Sequence, residues 1–367
     1  MTKESRPLDR DPEGGIARVA SAGLTCPVPA GEVDRVLLGH GSGGKLSAAL
    51  LRDQFLPHFG NVVLAELGDA AVVPVPGDEI AVSTDSFVVS PLEFPGGNIG
   101  HLAVHGTVND LAMMGAEPLY LSAGFILEEG LPFDVLDRVI EAMASAAADA
   151  GVIVVTGDTK VVERGKADGL FINTTGIGRL DPEFRPGPTR AREGDAVLVS
   201  GPIGRHGVAI MAAREDLRFE VEVRSDTACL APLVLDLRGV CGSAIHSLRD
   251  PTRGGVASAL NEIAASSGVC IRLEEGDLPI PGPVRAACEM LGLDPLYVAN
   301  EGILVAIVAP EKAGAALEAL RSHPAGEAAI RIGTVTGDRP GLVLLRTGLG
   351  ASRVVDMLPG DQLPRIC

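Results

Sequence analysis

The stretch NIGHLAVHGTVNDLAMMGAEPLYLSAGFIL (98–127) contains two kinds of secondary structure side by side. In its first part apolar residues recur at helical spacing, at Leu102, Val108 and Leu111 among others, which predicts a helix. Pro118 follows, and a proline commonly marks the end of a helix. The segment after it, LYLSAGFIL (119–127), predicts a strand. A helix and a strand in such quick succession indicate a fold that mixes both.

The rest of the chain continues this mixture. FDVLDRVIEAMASAAADAG (133–151) predicts a helix ended by a glycine, and IAVSTDSFVV (80–89) predicts a strand. In the second half we expect a long helix near 226–239. Strands and helices do not alternate strictly, so the pattern predicts an α+β class (mixed α/β) and not a doubly wound sheet.

The length of 367 residues is enough for about two domains. The polar stretch DPEFRPGPTRAREGD (181–195), with three prolines and two glycines, is the best candidate linker. We therefore divide the chain into a flexible N-terminal arm (1–33), an N-terminal domain (34–180), a C-terminal domain (181–345) and a flexible, exposed tail without secondary structure (346–367).

The charge of the chain excludes several classes of partner. Its 31 lysines and arginines stand against 48 aspartates and glutamates, for a net charge of −17. Such an excess of acid disfavours binding to nucleic acid or to an anionic membrane through a basic face. No apolar run approaches the roughly 18 residues of a membrane span, and the polar N-terminus does not resemble a secretory signal. We expect a cytoplasmic protein.

A glycine-rich stretch, GHGSGGK (39–45), has the spacing of a phosphate-binding P-loop. The next residue is Leu46, so the hydroxyl that would hold Mg²⁺ in a P-loop is missing, and we reject that motif. Two readings remain open at this point. The stretch is either a plain turn or a loop whose N–H groups and Lys45 face phosphate oxygens.

Acidic and amide side chains recur in small-residue, apolar settings along the chain. Carboxylates that share one site would repel one another unless a cation neutralised them, and Mg²⁺ takes such oxygen ligands together with phosphates. Each residue could instead be a solvated turn residue or a helix cap. The same choice applies to DPTRGG (250–255), which is either an anion site at a helix start or an ordinary cap. The residues concerned are Asp69, Asp85, Asn109, Asp110, Asp158 and Asp250.

The last residue of the sequence, Cys367, differs from the other five cysteines, which are most simply core or packing residues. A thiol at the end of a tail can be carried into an active site, as the group of a carrier arm is.

Together these motifs resemble the HypE family of hydrogenase maturation factors, over nearly the whole chain from about Val36. The middle motifs alone are similar to the wider superfamily of aminoimidazole ribonucleotide (AIR) synthetase and selenophosphate synthetase, and the terminal PRIC makes the resemblance specific. The motifs are GHGSGGK (39–45), GDAAV (68–72), STDSFVVSP (83–91), GTVNDLAMMGA (106–116), GDTKVV (157–162), DPTRGG (250–255), NEG (300–302) and PRIC (364–367).

The resemblance implies a two-domain PurM-like fold whose N-terminal domain binds ATP and pairs its sheets into a barrel in a homodimer. It implies ATP-dependent dehydration of a carbamoyl group on Cys367 to a thiocyanate, which supplies cyanide for the iron centre of nickel–iron hydrogenase. ATP and Mg²⁺ are the implied cofactors. The carbamoyltransferase HypF and the HypC–HypD complex are the implied partners.

The resemblance also implies roles for individual residues. Glu301 is the expected base for the group carried by Cys367, and Lys160 is expected to place the phosphate or to assist. The expected metal ligands are Asp69, Asp85, Asp110 and Asp250. The expected ATP-binding residues are Gly41, Ser42, Gly43, Gly44, Lys45, Asp69, Asp85, Asn109, Asp110, Asp158 and Thr159.

Two rival functions stay open from the residues. One is a related ATP-dependent synthetase or kinase that acts on a small free substrate, for which Cys367 would be dispensable. The other is a non-catalytic thiol carrier, in which ATP would not change the group bound to Cys367.

Overall fold

The computed structural model describes residues 44–50, 52, 71–75, 78–217, 221–358, 360, 363 and 365–367. The N-terminal arm (1–33), most of the glycine-rich stretch and Asp69 lie outside these residues, as does Pro364. What the sequence predicts for them stays a prediction.

The first half of the described chain forms a mixed five-stranded sheet in the order β1-β2-β7-β5-β6. Its neighbours are antiparallel except β5 and β6, which run parallel. A two-residue hairpin, β3 and β4, precedes the second helix. The elements are α1 (Lys45–Leu50), β1 (Ala71–Val75), β2 (Asp78–Phe87), β3 (Glu93–Phe94), β4 (Gly97–Asn98), α2 (Ile99–Met113), β5 (Ala116–Glu128), α3 (Phe133–Asp149), β6 (Ile153–Val162) and β7 (Leu170–Leu180).

Helix α2 confirms the helix predicted from 98–116. Its N-cap is Asn98, whose side-chain oxygen accepts the N–H groups of Gly100 at 2.9 Å and of His101 at 3.2 Å. The helix ends at Met113, before Pro118, because Gly115 takes a positive φ of 76° and turns the chain into β5. Pro118 lies inside β5, next to an irregularity in its pairing with β7.

The second half forms a seven-stranded sheet in the order β14-β13-β10-β12-β8-β11-β9, in which only the β10–β13 pair is parallel. The elements are β8 (Ala196–Val199), α4 (Arg205–Arg214), α5 (Ala231–Cys241), β9 (Ile245–Arg249), α6 (Gly255–Ser267), β10 (Cys270–Glu274), α7 (Gly282–Leu291), β11 (Val305–Val308), α8 (Ala313–Ser322), β12 (Ile330–Thr336), β13 (Val343–Arg346) and β14 (Ser352–Val354). The mixed fold class is confirmed.

Two expectations are wrong. The helix expected near 226–239 begins only at Ala231, since the amide of Asn109 in α2 binds the carbonyl of Ala228 and the N–H of Leu230 in the segment before it. The tail is not devoid of structure or wholly exposed. Strand β14 pairs with β13, and Ile366 is 3% exposed within the apolar core of the first half.

A search of the described helices finds none with the length and apolar character that a membrane crossing requires.

Candidate active site

Four acidic side chains from distant parts of the sequence act on one another electrostatically. Asp85 lies near the end of β2, Asp110 within α2, Asp250 directly after β9 and Glu301 shortly before β11. Burial raises the pKa of all four, and the charges of Asp85 and Asp250 further raise the pKa of both Asp110 and Glu301. For Asp250 the pKa reaches about 6. The fold therefore brings together four of the predicted site residues.

Local hydrogen bonds orient the first two carboxylates. The Ser83 hydroxyl donates to Oδ2 of Asp110 at 2.5 Å, and the N–H of Ser86 donates to Oδ1 of Asp85 at 2.7 Å. The serines of the STDSF strand thus hold the two acids in fixed orientations against the adjoining helix.

Arg253 supplies a positive charge to this group. Its pKa is raised first by the charge at Cys367, and then by those of Asp85, Glu301 and Asp110, against the opposing effect of burial. The sequence analysis quoted Arg253 only as part of DPTRGG and did not name it as a site residue. Arg253 lies in the same motif as Asp250, and this position was the signal that could have identified it as a site residue.

The DPTRGG turn that carries Arg253 depends on its glycines. Gly254 and Gly255 have φ of +76° and +62°, a region that favours glycine. A Cβ on Gly255 would lie 2.5 Å from the carbonyl oxygen of Leu296. The turn therefore packs directly against the segment that leads to Glu301.

Glu301 is 3% exposed, and its Oε1 has no hydrogen-bond partner among the described residues. Its backbone N–H donates to Oδ1 of Asp226 at 3.2 Å. Asn300 joins two loops, because its Oδ1 accepts the N–H of Gly204 at 2.7 Å and its Nδ2 donates to the carbonyl of Pro251 at 2.9 Å. The NEG motif is thus fastened to the DPTRGG turn, and it presents a buried, unsatisfied carboxyl oxygen.

Cys367 lies at the same place. It lines a cavity of about 70 Å³ together with Gly44, Ser86, Val88 and Arg253, among other residues. The carbonyl of Cys367 accepts the N–H of Val88 at 3.0 Å. The last residue of the sequence and the principal cation of the acidic group therefore share one small cavity.

The amide of Asn109, a predicted ATP ligand, is hydrogen-bonded within the protein. Both ends of its amide are used within the protein, since Nδ2 donates to the carbonyl of Ala228 at 3.0 Å and Oδ1 accepts the N–H of Leu230 at 2.7 Å. The side chain is 1% exposed. In this structure Asn109 ties helix α2 to the start of α5, and this packing role was not predicted.

The described end of the glycine-rich stretch meets the tail. The N–H of Lys45 donates to the carbonyl of Leu358 at 2.5 Å, and its Nζ forms an ion pair with Asp356 at 2.7 Å. Gly44 lines the cavity of Cys367.

The remaining predicted residues lie on strand β6 or outside the described part of the chain. Lys160 is exposed on β6 and is not among the residues that line the cavity. The backbones of Asp158 and Thr159 pair with β5. Gly41, Ser42, Gly43 and Asp69 lie outside the described residues. Within the described part of the chain, no three His, Cys, Asp or Glu side chains are arranged to hold a metal ion.

Comparison with known proteins identifies the family of this chain. The family model "AIR synthase related protein, N-terminal domain" matches residues 67–180, and the corresponding C-terminal domain model matches 192–344. The carbamoyl dehydratase HypE of Cupriavidus necator is 54% identical over 334 residues, 91% of this chain and 95% of the relative. That of Escherichia coli K12 is 47% identical over 341 residues, 91% of this chain and all of the relative.

Solved structures give the same result. A HypE–HypF complex aligns with a TM-score of 0.80 at 48% identity, covering 84% of this chain and all of the other. A HypE structure in complex with ATP aligns at 0.76 and 52% identity, covering 91% and 100%. AaThiL complexed with AMPPCP and TMP aligns at 0.65 but only 20% identity, which shows a shared fold alone. The resemblance seen in the motifs is confirmed, and the chain belongs to the HypE family of carbamoyl dehydratases.

Proposed function

We propose that this protein uses ATP to dehydrate a carbamoyl group carried on the sulfur of its own Cys367, giving a thiocyanate. The observation that carries the proposal is the meeting of Cys367, Arg253 and the buried Glu301 in one electrostatic group. ATP is proposed because a relative of 52% identity has been solved in complex with ATP.

The chemistry of the reaction explains why the site contains both a buried carboxylate and a cation. The oxygen of R–S–CO–NH₂ is a poor leaving group, so it must first take the γ-phosphoryl group of ATP, with loss of one N–H proton. Departure of phosphate and of the second N–H proton then leaves R–S–C≡N. The protein must therefore stabilise negative charge and accept protons from nitrogen.

Glu301 is suited to accept those protons. A carboxylate is a useful general base when its pKa lies close to the working pH. Burial, followed by the charges of Asp250, Asp85 and Asp226, raises the pKa of Glu301 well above its ordinary value. Its Oε1 has no partner among the described residues, so it is available to a substrate N–H. The assistance proposed for Lys160 rests on the family resemblance alone.

Arg253 is suited to the charge that develops. A guanidinium placed where negative charge grows stabilises a phosphoryl-transfer transition state. The charges of Cys367 and of three carboxylates act on Arg253, so a positive charge stands beside the thiol before any nucleotide binds. We assign Arg253 the role of stabilising the negative charge on the phosphorylated oxygen next to the thiol.

We further propose Mg²⁺ as a cofactor. Asp85, Asp110 and Asp250 provide the oxygen donors that this ion prefers. Burial is the main cause of the raised pKa of Asp110, and repulsion by the charges of Asp250 and Asp85 raises it further. Mg²⁺ is usually held by one or two carboxylates together with substrate phosphates, which fits a described chain without a three-ligand cluster. When bound, the ion would neutralise this repulsion and polarise the phosphates.

The proposed homodimer is supported by an apolar sheet face. Ile153 is 62% and Val155 57% exposed on β6, and Tyr120, Ile126 and Ile177 are exposed on the neighbouring strands. Such a patch on a sheet favours contact with another sheet.

HypF is proposed as a partner because a HypE–HypF complex is known for a relative. The HypC–HypD complex and a cytoplasmic location rest on family membership.

Mass spectrometry of the C-terminal peptide tests the reaction. The protein is loaded with carbamoyl and then given Mg-ATP. The expected result is the loss of one water from the peptide that contains Cys367. The variant Cys367→Ser should never carry the group, whereas Cys241→Ala, a matched control at a buried cysteine, should behave like the parent. An unchanged peptide mass in the parent would refute the proposal and favour a plain carrier. Full ATP turnover by Cys367→Ser would favour a kinase with a free substrate.

A further inference from the structure

The last residues of the chain are held by a set of donors that the dehydration chemistry does not use. We name this set the tail dock and define it as the side chains of His206 and Arg214 together with the backbone N–H groups of Val88 and Ser90. Both side chains come from one helix, α4, and both N–H groups come from the segment that follows β2.

Each of the last three carbonyl groups of the tail accepts a hydrogen bond from the dock. Nε2 of His206 lies 2.8 Å from the carbonyl oxygen of Ile366. Arg214 donates to the carbonyl of Arg365 at 2.6 Å and to that of Ser90 at 2.9 Å. The N–H of Ser90 also donates to the carbonyl of Arg365, at 3.3 Å. The third carbonyl, that of Cys367, accepts from Val88.

The protonation of His206 is determined by its neighbours. A carbonyl oxygen only accepts, so Nε2 must carry the proton, and Nδ1 accepts from the hydroxyl of Ser225 at 2.8 Å. That hydroxyl accepts in turn from the N–H of Thr227 at 3.1 Å. Burial lowers the pKa of His206 to about 4, so the neutral form with one fixed donor is present at neutral pH.

Side chains of the tail add to the specificity of the dock. Ile366 is buried in the same apolar cluster as Phe87 and Leu102. Arg365 forms an ion pair with Asp168 and donates to the carbonyl of Val88 at 3.2 Å. A shift of the tail by one residue would expose the isoleucine and misplace each of these bonds. The dock therefore fixes the register of the tail.

We infer that His206 and Arg214 are positioning residues that seat the tail in one register and so place the sulfur of Cys367 next to Arg253. The bonds of the dock use main-chain atoms and the side chains of residues 365 and 366. They do not depend on which group the sulfur carries, so the same seat accepts the thiol, its carbamoyl form and its thiocyanate form. The inference rests on the proposed function in one respect only, namely the reason why the sulfur of Cys367 has to lie next to Arg253.

Thiol labelling of the full chain tests the dock without ATP or a carbamoyl group. The rate of alkylation of Cys367 by iodoacetamide is measured by mass spectrometry of the C-terminal peptide. Loss of hydrogen bonds to a charged donor should raise this rate in Arg214→Ala by about tenfold or more, because the tail is undocked more often. The matched control is Arg224→Ala, which removes an exposed arginine outside the dock and should label at the parental rate.

A pair of variants at the histidine isolates the hydrogen bond. His206→Leu should label faster than the parent, and His206→Gln, which keeps an N–H donor, should restore most of the protection. If His206→Leu does not fold, Arg214→Ala decides the matter alone. A folded Arg214→Ala protein that labels at the parental rate would overturn the inference.

The same variants separate this inference from the proposed function. In carbamoyl-loaded protein, Arg214→Ala should slow the loss of water while the KM for ATP stays unchanged. If the parent never loses water but the labelling results hold, the dehydration proposal fails and the dock stands. If the parent loses water and Arg214→Ala equals it in both assays, only the dock fails.

Discussion

Replacement of Glu301 by glutamine is the most informative single perturbation of the site. The change keeps the size of the side chain and removes its ability to take a proton. A positioned general base contributes about 10²- to 10⁴-fold to a rate, which corresponds to about 3–5 kcal/mol of activation free energy. We expect the single-turnover rate of water loss from carbamoylated Cys367 to fall by that factor, with little change in ATP affinity.

The stability of the Glu301→Gln variant should increase at neutral pH, although its reaction rate falls. The pKa of Glu301 is raised in the folded state, so the folded protein binds this proton more tightly than the unfolded chain does. The ionised carboxylate therefore costs stability as the pH rises above the unfolded value of about 4.3 and through the higher folded value. Glu301→Gln should melt at a higher temperature than the parent at neutral pH, and the two should converge below about pH 4.

Single-turnover mass spectrometry gives the rate, and thermal unfolding at several pH values gives the stability. Glu289→Gln, at an exposed position on α7, serves as the control and should change neither. A Glu301→Gln protein that dehydrates at nearly the parental rate would refute the assignment of the base. A variant that melts at a lower temperature at neutral pH would instead show that the carboxylate is a structural group.

Three further variants test other parts of the site. Arg253→Met removes the cation next to Cys367, so alkylation of the thiol at neutral pH should slow, because a nearby cation favours the reactive thiolate; an unchanged alkylation rate would contradict that contact. Gly255→Ala should lower the free energy of unfolding by about 1–3 kcal/mol. It should cost more than Gly268→Ala, whose φ of +65° is similar but whose Cβ would meet no atom within 4 Å, and equal losses in denaturant titrations would refute the close packing of the turn. Asn109→Ala should cost about 1–3 kcal/mol of stability through its two lost bonds and leave ATP affinity unchanged; weaker nucleotide binding, measured by calorimetry, would instead identify Asn109 as an ATP ligand.

The parts of the fold that were predicted from sequence are those determined by short-range pattern. Helix α2 follows from the spacing of Leu102, Val108 and Leu111, and its two limits follow from local groups, Asn98 and Gly115. The start of α5 was misplaced because side chains from elsewhere, not local propensity, hold the residues before it.

The site was predicted as a set of residues but not as a geometry. Nothing in the spacing of Asp85, Asp110, Asp250 and Glu301 indicates that they meet, since the sheet order that joins them depends on long-range pairing. The family resemblance supplied that grouping. The docking of the tail was missed for another reason. Its partners are mainly main-chain groups of Val88 and Ser90 and two side chains of α4, which carry no recognisable motif.

The docked tail is in effect a ligand that the protein carries on a tether. Val355 is fixed by its N–H bond to the carbonyl of Val343, so only residues 356–364 separate this anchor from the docked end. A short tether holds its ligand at an effective concentration in the millimolar range. A seat that would bind the free peptide only weakly is therefore filled most of the time. The few hydrogen bonds of the dock are therefore enough to seat Cys367.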